Sequence, residues 1–224
     1  HTREEFKDLL YQVLNKNRLM DAMIRITITR GEGEVGWILP TSSIPTVAIL
    51  PRPFSGYSPS LYEKGVHIAV IEDQRHTVFG FHPQIKSTSF LNHILVKLQA
   101  QEKGAYEGVL LNWKGYATEG ATSNLFIVKE GRLLTPSPEA GILEGVTRRA
   151  VLELARDHGI PVEEGILSIE ALYQADECFL TNTGIEIMPV VMIDQKALGS
   201  GLPGPLTIFL LKMFREAIQK LTRG

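Results

Sequence analysis

From Val109 to Thr135 the chain alternates short apolar runs with glycine turns: Val109 to Asn112, Lys114-Gly115, Tyr116 to Thr118, Leu125 to Val128, Glu130-Gly131, and Arg132 to Thr135. Runs this short, separated by turn pairs, predict neighbouring antiparallel strands, so a β-meander stands at the centre of the chain. The remaining segments have to pack around it. Downstream, Thr147 to His158 has helical periodicity and is closed by Gly159. Val162 to Leu167 reads as a strand, Ser168 caps a short helix through Ala175, and Glu177 to Thr181 is a strand again. Pro203-Gly204-Pro205 starts a last amphipathic helix whose apolar side carries Leu206, Phe209, Leu210, Met213, Phe214, Ala217 and Leu221, a stripe suited to the core or to a dimer interface.

Upstream, Thr2-Arg3-Glu4-Glu5 has capping-box spacing, and Phe6, Leu9, Leu10, Val13 and Leu14 follow at helical period. Ile24, Ile26 and Ile28 alternate with Arg25, Thr27 and Thr29, which predicts a half-buried strand. Pro45 to Leu50 and Val66 to Ile71 are further strands. The glycine-rich Gly31 to Trp37 has no helix behind it and so lacks the context of a dinucleotide fingerprint. Glu72 to Pro83 shows no clear period and suits a linker. Beyond it, Leu91 to Lys103 is helical and stops at Gly104. The predicted fold class is α+β: a small α/β lobe over residues 1–74, a linker over 75–85, and a larger β-rich lobe with helices over 86–224.

The 224 residues carry a net charge of −2, which gives no footprint of a nucleic-acid or acidic-membrane partner. No apolar run approaches the ~20 residues of a membrane span and no signal peptide is visible, so a cytoplasmic location is expected. The single cysteine, Cys178, sits in a buried-strand context and reads as an inert packed thiol. No residues have metal-ligand spacing, and no metal is expected.

Taken singly, the residues with chemical potential are ordinary. Lys86 reads as a surface lysine, Glu119 as a solvated turn residue, and Gly145 as a cap before a helix. The amides of Val146 and Thr147 at that helix start would nevertheless seat a phosphate. Their order along the chain is what carries information: Lys86-Ser87, then Glu119-Gly120-Ala121-Thr122-Ser123-Asn124-Leu125-Phe126, then Gly145-Val146-Thr147-Arg148, then Glu186-Ile187-Met188-Pro189-Val190. This series resembles the fold-type IV pyridoxal-phosphate enzymes, which comprise branched-chain transaminases, D-amino-acid transaminases and aminodeoxychorismate lyases. The resemblance runs from about residue 1 to about residue 220.

The resemblance implies pyridoxal 5′-phosphate as cofactor, with Lys86 as the Schiff-base lysine and proton shuttle and Glu119 paired to the pyridine nitrogen. It also implies a phosphate cup of Gly145, Val146 and Thr147, completed by Asn182 and Thr183. Asn124 and Glu186 read as structural. Substrate contacts fall on Arg25, Trp37, Thr183 and Gly184, with Arg75 a weaker candidate. Family members carry roughly fifty to sixty residues before the point where this chain begins, and it opens with His1 and no initiator Met.

Within the family, Gly33-Glu34-Val35-Gly36 looks like the G-D-x-G loop of branched-chain transaminases, and Ile24-Arg25 matches their Y-I-R strand, with Met23 in place of the tyrosine. The Arg-x-His pair of D-amino-acid transaminases is not visible, whereas Leu180-Thr181-Asn182 looks like lyase sequence. The expected activity is therefore transfer of an amino group between a branched-chain L-amino acid and a 2-keto acid by a homodimer. The alternatives are pyruvate release from aminodeoxychorismate, D-amino-acid transamination, and an inactive cofactor-binding relative if the N-terminal segment is truly absent.

Overall fold

The computed structural model describes residues 2–33, 44–76 and 84–223, with the backbone alone at 73–76 and 222–223. The chain divides into two compact units, His1–Gly56 and Tyr57–Gly224. In the first, helix α1 (Arg3–Asn17) starts on the predicted capping box: Glu5 N donates to Thr2 Oγ1 at 3.2 Å, and Thr2 N donates to Glu5 Oε2 at 2.7 Å. Strands β1 (Ala22–Ile28) and β2 (Val47–Pro53) pair antiparallel, with Arg25 opposite Leu50. The predicted apolar face of β1 is only partly covered. Ile24 is half-buried, but Ile26 and Ile28 are exposed, because a two-stranded ribbon has little surface to bury a face against.

The second unit begins earlier than the sequence reading placed its large lobe. Helix α2 (Pro59–Lys64) and strand β3 (Val66–His76) belong to it, since β3 pairs parallel with β4 (Glu107–Asn112) on one side and with β10 (Glu186–Ile193) on the other. The predicted meander is present as β4, β5 (Ala117–Gly120), β6 (Asn124–Lys129) and β7 (Arg132–Pro136). At its Glu130-Gly131 turn both residues have positive φ, 50° and 74°, as a tight hairpin between right-twisted strands requires.

Strand β9 (Glu177–Asn182) pairs with both β6 and β10, so β3-β4-β5-β6-β9-β10 returns to β3 as a closed circuit. Closure leaves no open edges on those strands. β8 (Val162–Gly165) extends the sheet from β7, and β11 (Lys196–Ala197) from β10. Phe126 and Phe179 are register partners across β6 and β9 and stack with ring centroids 4.9 Å apart, both fully buried.

β10 was not assigned from the sequence, and Pro189 within it explains why. Pairing with β3 starts only at Val190, so the missing proline N–H disturbs no ladder bond on that side. Three further helices follow the predicted positions: α3 (Leu91–Glu102), α4 (Val146–Asp157) and α5 (Ile169–Tyr173), the last capped by Ser168 Oγ accepting from Ala171 N at 3.1 Å. The final helix α6 (Pro205–Arg223) buries Leu210 and Leu211 and leaves Phe209 and Leu221 exposed. Its start is capped by the buried Glu177 carboxylate, which accepts from Leu206 N, Thr207 N and Thr207 Oγ1 at 3.0, 2.7 and 2.7 Å. Cys178 is buried, and burial pushes its thiol well above the ordinary range.

Candidate active site

Lys86 lies in the short irregular segment before α3. Ser87 N donates to Ile85 O at 2.8 Å and Phe90 N to Thr88 O at 3.0 Å, so local turns hold the segment in place and leave the lysine side chain exposed. Glu119 is on β5, register partner of Asn124 on β6, and is 6% exposed. Its carboxylate accepts from Leu143 N at 3.0 Å and Asn124 Nδ2 at 3.2 Å, both on Oε2. Asn124 Nδ2 also donates to Leu143 O at 2.7 Å, so one amide ties the carboxylate to the segment that leads into α4.

The N-cap of α4 is Gly145, with no side-chain hydrogen bond to the first-turn amides. A Cβ on Gly145 would lie 2.2 Å from Asn124 Oδ1, so glycine is what allows the helix start to approach this close. Thr147 is buried and Val146 exposed at the mouth.

Lys86, Glu119, Gly145, Val146, Thr147, Asn182 and Thr183 line one cavity of about 520 Å³. The cofactor set expected from the sequence is therefore gathered in one place, although its members are up to 97 residues apart in the chain. Burial pushes the Glu119 carboxyl up to about 8, against the opposing pull of the Leu143 N–H, Lys86 and Arg148. A cationic N–H donor in the cavity would remove that penalty. The uncapped α4 start meanwhile offers amides to an anion. These donors and this acceptor fit pyridoxal phosphate, which carries a ring nitrogen and a phosphate at opposite ends.

Of the substrate set, Thr183 lines the same cavity. Gly184 does not line the cavity, and its N–H donates to Asn182 Oδ1 at 2.8 Å, as does that of Ile185. Asn182 thereby closes an Asx-type turn between β9 and β10, and its Nδ2 donates to Thr122 O at 3.0 Å. The Asn182 side chain thus helps to build the cavity wall that the residue itself lines. Arg25 is an exposed residue of β1 in the first unit. Trp37 and the Gly33 to Gly36 loop beyond Gly33 lie outside the described residues, as does the side chain of Arg75.

His93 on α3 also lines the cavity and was not singled out from the sequence. Its ring meets Phe90 edge-on at 6.4 Å, and burial together with the charge of Lys86 holds its imidazole below the ordinary range. A histidine among apolar helix positions shortly after the lysine was the available signal. A second cavity of about 530 Å³ lies beside β3, the end of α3 and Asp194. Asp194 is held there by two of its neighbours, with Tyr173 Oη donating to Oδ2 and Val70 N to Oδ1 at 3.1 Å.

Comparison with known proteins decides the family, because the class IV amino-transferase pattern matches residues 1–193. The chain is a class IV aminotransferase. This class IV aminotransferase is 38% identical over 215 residues to a Methanocaldococcus jannaschii protein assigned as a branched-chain-amino-acid aminotransferase, covering 96% of this chain and 74% of that one. It is 32% identical over 203 residues to D-alanine aminotransferase of Bacillus licheniformis, covering 91% and 70%. The crystal structure of Escherichia coli branched-chain amino acid aminotransferase superposes with a TM-score of 0.90 at 34% identity, over 96% of this chain and 72% of that one. Class IV aminotransferases use pyridoxal phosphate, and the fold is the fold-type IV architecture of these relatives.

Proposed function

We propose that the protein transfers the amino group of a branched-chain L-amino acid to a 2-keto acid. The observation that carries the reading is the meeting of Lys86, the buried Glu119 and the uncapped start of α4 around one cavity, in a chain similar to proteins that bear that activity in their names.

Bound in the cavity, pyridoxal 5′-phosphate supplies the electron sink for the breaking substrate Cα–H bond. Glu119 would hold a proton on the ring nitrogen, and Asn124 Nδ2 and Leu143 N, which both donate to Oε2, fix the carboxylate. Gly145, Val146 and Thr147 would seat the phosphate on the helix-start amides, and Thr183, which lines the same cavity, would complete the seat. Lys86 Nζ takes the proton from substrate Cα in one half-reaction and returns a proton to Cα in the other. Arg25 and Trp37 are proposed as substrate contacts. The Gly184 amide is a weaker candidate, since Asn182 already occupies it.

A homodimer is proposed as well. Leu91, Ile94, Leu95 and Leu98 form an exposed apolar stripe at helical spacing along α3, 37–66% accessible, which a second copy would cover. No helix among the described residues is long and apolar enough to cross a membrane, and a cytoplasmic site of action is proposed.

The test is to supply the cofactor-loaded protein with L-leucine, D-alanine or aminodeoxychorismate, each with 2-oxoglutarate, and follow product formation. Glutamate produced from L-leucine supports the reading. Turnover of D-alanine alone would replace it with the D-specific activity that the Bacillus licheniformis relative has in its name, and pyruvate from aminodeoxychorismate with the lyase.

A further inference from the structure

Glu107 is a carboxylate with 1% exposure, at the first position of β4 and outside the set of groups that line the cavity. A buried charge of this kind is costly unless it is paired and hydrogen-bonded, and as a source of stability it is a poor substitute for an apolar residue. Its partners show what it holds. Lys97 of α3 places Nζ 3.6 Å from Oε1 and also donates to Tyr106 O. On the other side Thr122 Oγ1 donates to Glu107 Oε2 at 2.7 Å.

Thr122 is in the β5–β6 turn that forms a wall of the cavity, and its carbonyl accepts Asn182 Nδ2 at 3.0 Å. The turn is closed by Gly120 N donating to Ser123 O at 2.7 Å. A Cβ on Gly120 would come within 3.0 Å of Glu107 Cγ and 2.4 Å of Ser123 Oγ, so the turn sits directly over the carboxylate. One connected series thus runs from α3 through Glu107 and Thr122 to the β9–β10 turn, and joins two elements that each carry residues lining the cavity, His93 on α3 and Asn182 and Thr183 at the turn.

Resting on the cofactor reading above, we infer that Glu107 is a positioning residue, which acts through the Thr122 hydroxyl to fix the 120–123 turn against which the cofactor is seated. It touches neither cofactor nor substrate. Removing the carboxylate or the hydroxyl lets the turn relax away from Glu119 and the α4 start, and weakens cofactor binding through loss of pre-formed geometry.

The experiment is equilibrium dialysis of the cofactor-loaded full chain against falling pyridoxal phosphate, comparing with wild type the variants Glu107→Leu, which has no acceptor for the Thr122 hydroxyl, Thr122→Val, the double variant and Thr122→Ser. Each of the first two raises the cofactor Kd about tenfold, and the double variant raises it no further, because both break the same link. Thr122→Ser keeps the hydroxyl and binds as wild type does, a rescue that mere packing at this exposed residue would not produce. Thr122→Val also guards against a misfolded Glu107 variant. Wild-type affinity in Thr122→Val, or losses that add in the double variant, would overturn the inference while leaving the cofactor reading intact. A wild-type protein that binds no cofactor would overturn that reading itself.

Discussion

Glu119 makes the cofactor-free protein lose stability as the pH rises from the acid range through neutrality, an effect that one substitution removes. Its carboxyl rises from 4.5 to about 8 on burial, and at roughly 1.4 kcal/mol per unit this is on the order of 5 kcal/mol of penalty on the ionised form. The folded state holds the proton over the interval in which the unfolded chain has released it, so stability falls as pH rises from 4.5 towards 8 and levels off above. Urea midpoints of cofactor-free wild type and Glu119→Gln, measured from pH 5 to 9, follow the effect. Wild type loses several kcal/mol relative to the variant across that interval, and cofactor loading flattens the difference because a cationic N–H then faces the carboxylate. Parallel curves for the two cofactor-free proteins would show that Glu119 is not desolvated, and the argument for a cationic ring nitrogen beside it would lose its support.

Gly145→Ala places a methyl group 2.2 Å from Asn124 Oδ1 and breaks the link between Glu119 and α4. The expected cost is about 1–3 kcal/mol of stability, seen as a lowered melting temperature, together with weaker cofactor binding. Glu177→Ala strands two backbone donors and the Thr207 hydroxyl at the start of α6, for about 3 kcal/mol in urea denaturation. His93, held below its ordinary 6.5, resists protonation in the folded state, so wild-type stability falls as pH drops through and below 6.5. Denaturation of His93→Gln over the same range lacks that component.

The elements that carry their own local signal were legible in the chain. The capping box of α1, the Glu130-Gly131 hairpin and the Ser168 cap each rest on residues within three positions of one another, and local chemistry decides them. What could not be read are features set by distant partners. β10 was hidden by Pro189, which is harmless only because β3 pairing begins one residue later. The closing of the circuit by β9, and the membership of β3 in the larger sheet, depend on contacts between strands far apart in sequence. At the site, Lys86, Glu119 and the α4 start were found through motif order. The diversion of Asn182 and Gly184 into a turn, and the burial of Glu107 beneath Thr122, required the backbone to be seen.

The measurement that tests the central claim most directly is borohydride reduction of the cofactor-loaded protein, followed by proteolysis and mass analysis of the peptides. The site described here predicts one phosphopyridoxyl label, on the peptide carrying Lys86, and none in a loaded Lys86→Ala variant. A label on another lysine, or no label in wild type, would contradict it.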